Sequence, residues 1–195
     1  MNQNLATSIN LTSPRSQVSQ GLRITGIVVA GSVFLAVCAH VSIPLWFTPI
    51  PLSLQPFGVL LLGLLLRPRL ATATLCAYLA EGALGLPVFA PGPLGIAHLL
   101  GPTGGYLLAY PAAALLISFL FRRTGRGFAS GLACAAVGDF LILVCGALWL
   151  AAGMHLQVSA ALSIGALPFL PGDALKIAAA AGIATGYRYA LRRNR

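Results

Sequence analysis

Full charges are scarce in this sequence, and acidic residues are the scarcest of them. Only 8% of the 195 residues are charged, and they comprise three acids and twelve basic residues. A soluble domain usually carries about a quarter charged residues, because such side chains cover its water-facing surface. With a mean hydropathy of +0.90 as well, the composition excludes a soluble domain and predicts an integral membrane protein.

Motifs for metal binding, disulfide bonding and ATP hydrolysis are also missing. The four cysteines stand singly in apolar stretches, without CxxC or Cys/His ligand spacing, and are interpreted as packing residues. There is no GxxxxGK[ST] phosphate loop, since the only lysine, Lys176, follows Asp-Ala-Leu. We therefore expect no metal and no cofactor, and any ATP-driven step requires other subunits.

Six apolar stretches are interpreted as transmembrane helices. A bilayer core of about 30 Å requires roughly 20 apolar residues in a helix. The six stretches are 24–40, 55–66, 70–84, 106–121, 128–150 and 162–189. The second is short and is expected to tilt. The polar residues 1–20, rich in Ser, Asn and Gln, predict a disordered cytoplasmic tail. We expect an all-α integral membrane protein with one six-helix domain over residues 21–195.

The eleven arginines indicate how these helices are oriented. They precede the first stretch, follow the last one, or lie in the connections around 67–69 and 122–126. The other connections, at 41–54, 85–105 and 151–161, contain no Lys or Arg. By the positive-inside rule, the arginine face and both termini are expected to be cytoplasmic. The net charge of +9 is thus a topology signal rather than a nucleic-acid-binding patch.

The connections 41–54 and 85–105 share the opposite, outer face and are dense in Pro, Gly and aromatic residues. A non-helical backbone at membrane depth persists only where it packs on protein or lines a cavity. These two loops therefore predict a lidded pocket that opens outward.

Asp173 and Lys176 lie inside the last apolar stretch. Three residues apart, they share one face of a helix. An uncompensated charge at the centre of a membrane helix costs about 2.5–3.5 kcal/mol, so the two charges need a reason to be there. One alternative is an internal ion pair that holds helices together. The other is a substrate cavity, where Lys meets an anion and Asp accepts N–H donors.

Glu81 and Asp139 lie near the middles of two other stretches, and each could pair with Lys176. One lysine cannot neutralise three acids, so at least one acid must be protonated, solvated or bound to ligand donors. This excess of acids over lysine favours a water-filled pocket over a buried structural ion pair. It does not indicate which acid faces the pocket.

Neutral polar residues near the same outer level could complete such a pocket. They are Gln55, Tyr78, Thr103 and Tyr106, and each alone could equally be a structural hydrogen-bonding group. The three histidines map to the outer ends and loops and have no ligand spacing, so they are interpreted as surface or interface residues: His40, His98 and His155.

The first apolar stretch carries small residues four positions apart, at Gly26 and Ala30. Small residues at this spacing permit close approach of another helix. Because both lie in the predicted cytoplasmic half, we expect a partner protein to dock there.

Four stretches, in order along the chain, resemble the biotin transporter BioY family. They are PIPLSLQPFGVLLLGLLLRPRL (49–70), YLAEGALGLPVFA (78–90), LLGPTGGYLLAYP (99–111) and PGDALK (171–176). The stretch 90–97 is less glycine-rich than the usual family loop, and Pro56 replaces a small polar residue.

The resemblance implies the six-helix fold of a substrate-binding S component, which binds biotin near the outer face of the bacterial inner membrane. It also implies coupling to a transmembrane T protein and to ABC ATPase subunits that use the ATP. In this scheme Lys176 suits the valerate carboxylate of biotin and Asp173 its ureido N–H groups, although water could reverse the pairing. The expected substrate-binding set is Gln55, Glu81, Thr103, Tyr106, Asp173 and Lys176.

Three alternatives stand beside this interpretation. The chain could be an S component for another small vitamin or a purely structural membrane subunit. It could also be an intramembrane aspartyl protease that uses Asp139 and Asp173, but that chemistry needs two carboxylates sharing a proton. A lysine one turn from Asp173 would tend to keep both ionised, so we expect no enzyme.

Overall fold

The computed structural model describes residues 14–193, which form a bundle of helices joined by short connections. A 3-10 turn at Leu167–Phe169 precedes the last helix, and strands β1 (Ser42–Ile43) and β2 (Leu52–Ser53) pair antiparallel, with Ser42 opposite Ser53. The α-helices in this range are α1 (Pro14–His40), α2 (Gln55–Leu65), α3 (Pro68–Ala83), α4 (Ile96–Leu100), α5 (Gly104–Arg123), α6 (Phe128–Gly153), α7 (Val158–Gly165) and α8 (Leu170–Arg193).

Within the described residues, four segments are long and apolar enough to cross a membrane: Ser19–His40, Gly104–Arg123, Phe128–Gly153 and Val158–Arg193. Helices α2 and α3 are shorter, with 11 and 16 residues. At 1.5 Å per residue they span about 16 and 24 Å, less than a hydrocarbon core. The mostly helical fold is confirmed, whereas the count of six spans and the cytoplasmic termini stay predictions.

Two boundaries differ from those expected. Residues 14–20, predicted as part of a disordered tail, belong to α1, and residues 1–13 lie outside the described range. The last predicted stretch is divided, because α7 ends at Gly165 and α8 begins only at Leu170. Pro168 and Pro171 lack the N–H that a continuous helix requires, so both are placed in first turns after the break.

Helices α5 and α6 approach each other closely at the start of α5. A Cβ atom on Gly105 would lie 2.2 Å from Cβ of Trp149 and 2.8 Å from the carbonyl oxygen of Cys145. The Trp149 indole donates a 3.0 Å hydrogen bond to the carbonyl of Gly101. The glycine pair of GPTGGY is therefore needed for this contact, which brings the following Tyr106 against Gly146 of α6.

The outward surface of the bundle is apolar, as a lipid-facing surface must be. Val37 of α1, Phe140 of α6 and Leu175 of α8 are 60%, 68% and 74% exposed. The interior holds two apolar clusters, one around Tyr78, Tyr110 and their neighbours and the other at the arginine end. Members of the first cluster line the cavity described below.

Candidate ligand-binding site

A cavity lies at the end of the bundle opposite the arginines, where the first turns of α2 and α8 meet α5 and α6. Its volume is about 50 Å³, enough for a few water molecules. The walls are largely apolar and aromatic, and include Tyr106, Tyr110, Ile142, Leu143 and Phe169. The polar groups that reach it are Ser53, Gln55, His98, Thr103, Asp139, Asp173 and Lys176.

Asp173 and Lys176 form an ion pair in the first turns of α8, with Nζ 2.9 Å from Oδ1. Both are buried, at 2% and 8% exposure, whereas Leu175 between them is 74% exposed. The pair therefore faces the cavity and not lipid. Since both residues belong to α8, their ion pair does not itself join two helices.

Asp139 of α6 also lines the cavity, and its side chain is only 4% exposed. Its Oδ1 atom is buried without a hydrogen-bond partner among residues 14–193. Leaving such an acceptor unsatisfied costs about 1–3 kcal/mol, so a buried orphan atom requires an explanation. In this position a water molecule or a ligand donor can supply the missing bond.

Gln55 lines the cavity from the first residue of α2, and its amide belongs to a hydrogen-bonded chain. The Gln55 amide nitrogen donates to the Tyr78 hydroxyl at 2.8 Å, and that hydroxyl donates to the carbonyl of Val88 at 2.9 Å. Ser53 of β2 donates to the amide oxygen of Gln55 at 3.3 Å. Tyr78 thus positions a cavity-lining side chain and ties α3 to the connection at 84–95, without lining the cavity itself.

His98 is a site residue that the sequence interpretation missed. It was expected at the surface, but it is 6% exposed and lines the cavity from α4. Its Nδ1 lies 2.9 Å from the carbonyl oxygen of Pro93, and its ring lies 5.0 Å from that of Phe89. The connection before α4 packs against His98, so this residue is buried although it belongs to an outer connection of the sequence. The apolar neighbours of His98 in IAHLL could have indicated this burial.

Thr103 and Tyr106 reach the cavity as expected. The Tyr106 hydroxyl donates a 2.6 Å hydrogen bond to the carbonyl of Gly165, so its ring rather than its hydroxyl is free to contact a ligand. Tyr110, one turn further along α5, is a second missed wall residue. The four-residue spacing of the two tyrosines in YLLAY could have indicated that they share a face.

Glu81 is not brought to the cavity. It accepts a hydrogen bond from the Ser32 hydroxyl, which links α3 to α1. This contact satisfies the carboxylate away from Lys176, so the expected place of Glu81 in the substrate-binding set is not supported by its position. Asp139 is the acid that occupies the cavity with the ion pair.

Gly26 and Ala30 both lie on an exposed side of α1. A Cβ atom on Gly26 would meet nothing within 4 Å. This strip is thus open to another helix, and docking of a partner protein there stays a prediction.

Membrane-length helices, an apolar exterior and a buried polar cavity with an ion pair define an integral membrane protein with a small-molecule site. The sequence profile of the BioY family matches residues 10–193. The chain belongs to the BioY family, which confirms the resemblance.

Individual relatives agree with this assignment. The chain is 42% identical to the probable biotin transporter BioY of Pyrococcus horikoshii over 70% of its own length and 79% of that protein. It is 37% identical to the biotin transporter BioY of Thermotoga maritima, over 78% and 88% of the two chains. Because the family consists of transporters, the expectation that the chain is not an enzyme is confirmed, and the protease alternative is set aside.

The fold also matches a solved structure. The crystal structure of the S-component for biotin from an ECF-type ABC transporter covers 88% of this chain, with 93% of its own chain matched. The TM-score is 0.80 and the sequence identity 28%. The arrangement of helices is therefore that of an S component.

Proposed function

We propose that this chain binds biotin in the cavity and serves as the substrate-binding S component of an energy-coupling factor transporter. One observation carries the proposal. In a chain of the BioY family, the buried Asp173–Lys176 pair and the unpartnered oxygen of Asp139 converge on one cavity with aromatic walls.

The chemistry of biotin suits these groups. Lys176 has three N–H donors, and Asp173 uses one of them, so two are left for the valerate carboxylate. Ureido N–H groups need acceptors, which Asp139 Oδ1 and the second oxygen of Asp173 can provide. The structure thus favours sharing the ureido contacts between Asp139 and Asp173, whereas the sequence singled out Asp173. The fused rings pack against Tyr106, Tyr110 and Phe169.

Uptake of the bound vitamin would take place in the bacterial inner membrane and would need a T protein and ABC ATPase subunits. The support for these partners is the matching S-component, which is described as part of an ECF-type ABC transporter. The chain has no phosphate loop of its own, so ATP would be hydrolysed by the partners.

Equilibrium binding of radiolabelled biotin to the purified protein tests the proposal. Truncating one partner of a buried charge pair costs about 2–5 kcal/mol, so Lys176→Ala and Asp173→Ala should each weaken binding roughly 30-fold or more. Arg193→Ala, an exposed base at the far end of α8, is the matched control and should bind as the parent does. Thermal unfolding of each variant verifies that it is folded.

Biotin methyl ester separates the role of Lys176 from a general loss of structure. The ester lacks the carboxylate charge, so the parent protein should prefer biotin to it, and Lys176→Ala should lose this preference. A parent protein that ignores biotin but binds another labelled vitamin would make the chain an S component of different specificity. Unchanged biotin affinity in both charge-pair variants would refute the site.

A further inference from the structure

A second site lies at the arginine end of the bundle, far from the ligand cavity. An open pocket of about 430 Å³ is formed by the α5–α6 connection and the last turns of α8, and Arg126, Arg188 and Arg192 line it. An adjoining cavity of about 160 Å³ shares Arg126 and Arg188 and adds Arg122. These four arginines and the two spaces between them are called the arginine pocket here.

Within residues 14–193, no acidic side chain lines the arginine pocket. The three acids of the chain are Glu81, Asp139 and Asp173, and none of them lines either space. The side-chain Nε of Arg122 is buried and has no hydrogen-bond partner among the described residues. Four like charges and a buried N–H donor in one place leave the pocket incomplete without an external anion.

The geometry of the pocket is held by specific contacts. The Arg188 guanidinium lies 5.5 Å from the centre of the Phe121 ring, a cation–π distance that fixes its position. Arg126 stands between two glycines and has a φ angle of +54°, in the left-handed region that non-glycine residues seldom adopt. Backbone strain of this kind clusters at ligand-binding positions.

Apolar side chains adjoin the arginines in the smaller space. The smaller space is also lined by Leu64, Leu65 and Leu191. Tyr187 and Tyr189 of α8 are 57% and 71% exposed beside it, as aromatic residues at a membrane–water interface often are. A ligand that fits both parts carries a phosphate at the polar end and hydrocarbon at the other.

We propose that the arginine pocket binds the headgroup phosphate of an anionic phospholipid, whose acyl chains lie along the α2–α5–α8 surface. Arginine presents paired N–H donors that match phosphate oxygens, and basic pockets between membrane helices recognise anionic headgroups. Free inorganic phosphate could bind the same arginines, but it would make no contact with the leucine side chains. The proposal is independent of what the ligand cavity binds.

Native mass spectrometry of the full chain in neutral detergent tests the proposal, with phosphatidylglycerol, phosphatidylcholine and inorganic phosphate as probes. The double variant Arg126→Gln/Arg188→Gln should bind phosphatidylglycerol at least 10-fold more weakly than the parent. The matched control Arg69→Gln/Arg193→Gln removes the same charge from exposed positions outside the pocket and should retain lipid. Phosphatidylcholine should bind the parent and both variants equally weakly.

Thermal unfolding supplies a second readout and guards against misfolding. Phosphatidylglycerol should raise the melting temperature of the parent and of the control, but not of the pocket variant. If the double variant does not fold, the single variant Arg126→Gln replaces it, because it alters only the loop. Its affinity for phosphatidylglycerol should also fall, but by a smaller factor. Retention of a single phosphatidylglycerol by the folded pocket variants would overturn the proposal.

The remaining outcomes also decide against it. If the control variant lost phosphatidylglycerol to the same extent as the pocket variant, the lipid would be held by diffuse electrostatic attraction and not by a specific site. Competition by millimolar phosphate with no preference for lipid would make the ligand a free anion. Variants that keep the lipid but no longer co-purify with the T protein and ATPases would make the pocket a protein contact.

Discussion

The three acids of this chain show how far the role of a residue depends on its surroundings. Asp173 is paired with Lys176 on the same helix, and Glu81 is hydrogen-bonded to Ser32 between two helices. Asp139 keeps one buried oxygen without a partner. A carboxylate group therefore has three different surroundings in this bundle: an ion pair on one helix, a hydrogen bond between two helices, and a buried position with an unused acceptor atom.

Asp139→Ala should raise stability and lower biotin affinity. The variant removes an unsatisfied buried acceptor, which gains about 1–3 kcal/mol of unfolding free energy. It also removes an acceptor for ureido N–H groups, so affinity should fall roughly 10- to 100-fold. Melting temperature and radiolabelled biotin binding measure the two effects.

Glu81→Ala is the matched control for that variant, because it removes an acid that already has a partner. Loss of the Ser32 contact should lower the melting temperature, and biotin affinity should stay at the parental value. The assignment of Asp139 to the site would be wrong if the two variants bound biotin equally well.

At the scale of the elements, close helix approach positions the wall of the cavity. The glycines that open α5 allow it to contact Trp149 of α6, and Tyr106 then packs against Gly146. The hydroxyl of Tyr106 in turn reaches the carbonyl of Gly165, which ends α7. Three helices thus meet at one aromatic side chain that lines the cavity.

Gly105→Ala should destabilise the bundle and weaken biotin binding together. Its Cβ would lie 2.2 Å from Cβ of Trp149, so the two helices must separate. Overpacking of this kind costs about 1–3 kcal/mol, more than the roughly 1 kcal/mol that alanine gains in helix propensity. Thermal unfolding in detergent measures the loss.

Gly153→Ala, at the last residue of α6, provides the comparison, since a Cβ there meets nothing within 4 Å. This variant should be as stable as the parent or slightly more stable. Equal melting temperatures for the Gly105 and Gly153 variants would contradict the close-packing argument.

At the scale of the whole molecule, the two ends of the bundle differ in the residues that they carry. One end holds the buried ligand cavity, and the other carries the arginines. The strip formed by Gly26 and Ala30 on α1 stays uncovered. In a transporter that works with partner subunits, such a strip is available for contact without disturbing the cavity.

Gly26→Leu and Ala30→Leu should leave biotin binding intact and reduce co-purification with the T protein. Both positions are exposed, so leucine can be accommodated without repacking the bundle. Gly21→Leu is the matched control: it is equally open, but lies roughly 140° around the helix from Gly26. Co-purification that is unchanged by the Gly26 and Ala30 variants would exclude this strip as the docking surface.

Several features of this protein follow from local sequence alone. The scarcity of charge predicts a membrane protein, because a surface without charged side chains cannot face water. The three-residue spacing of Asp173 and Lys176 predicts a shared helix face and hence their ion pair. The motifs that resemble the BioY family likewise identify the family without any knowledge of coordinates.

Other features were decided only by the tertiary structure. Helical periodicity places Glu81 and Asp139 on faces of their own helices, but it does not say which face meets α8. The inward turn of His98 depends on how a loop folds back over the bundle. A cavity forms where helices distant in the sequence converge, so its members are set by packing between elements and not by the residues beside them in the chain.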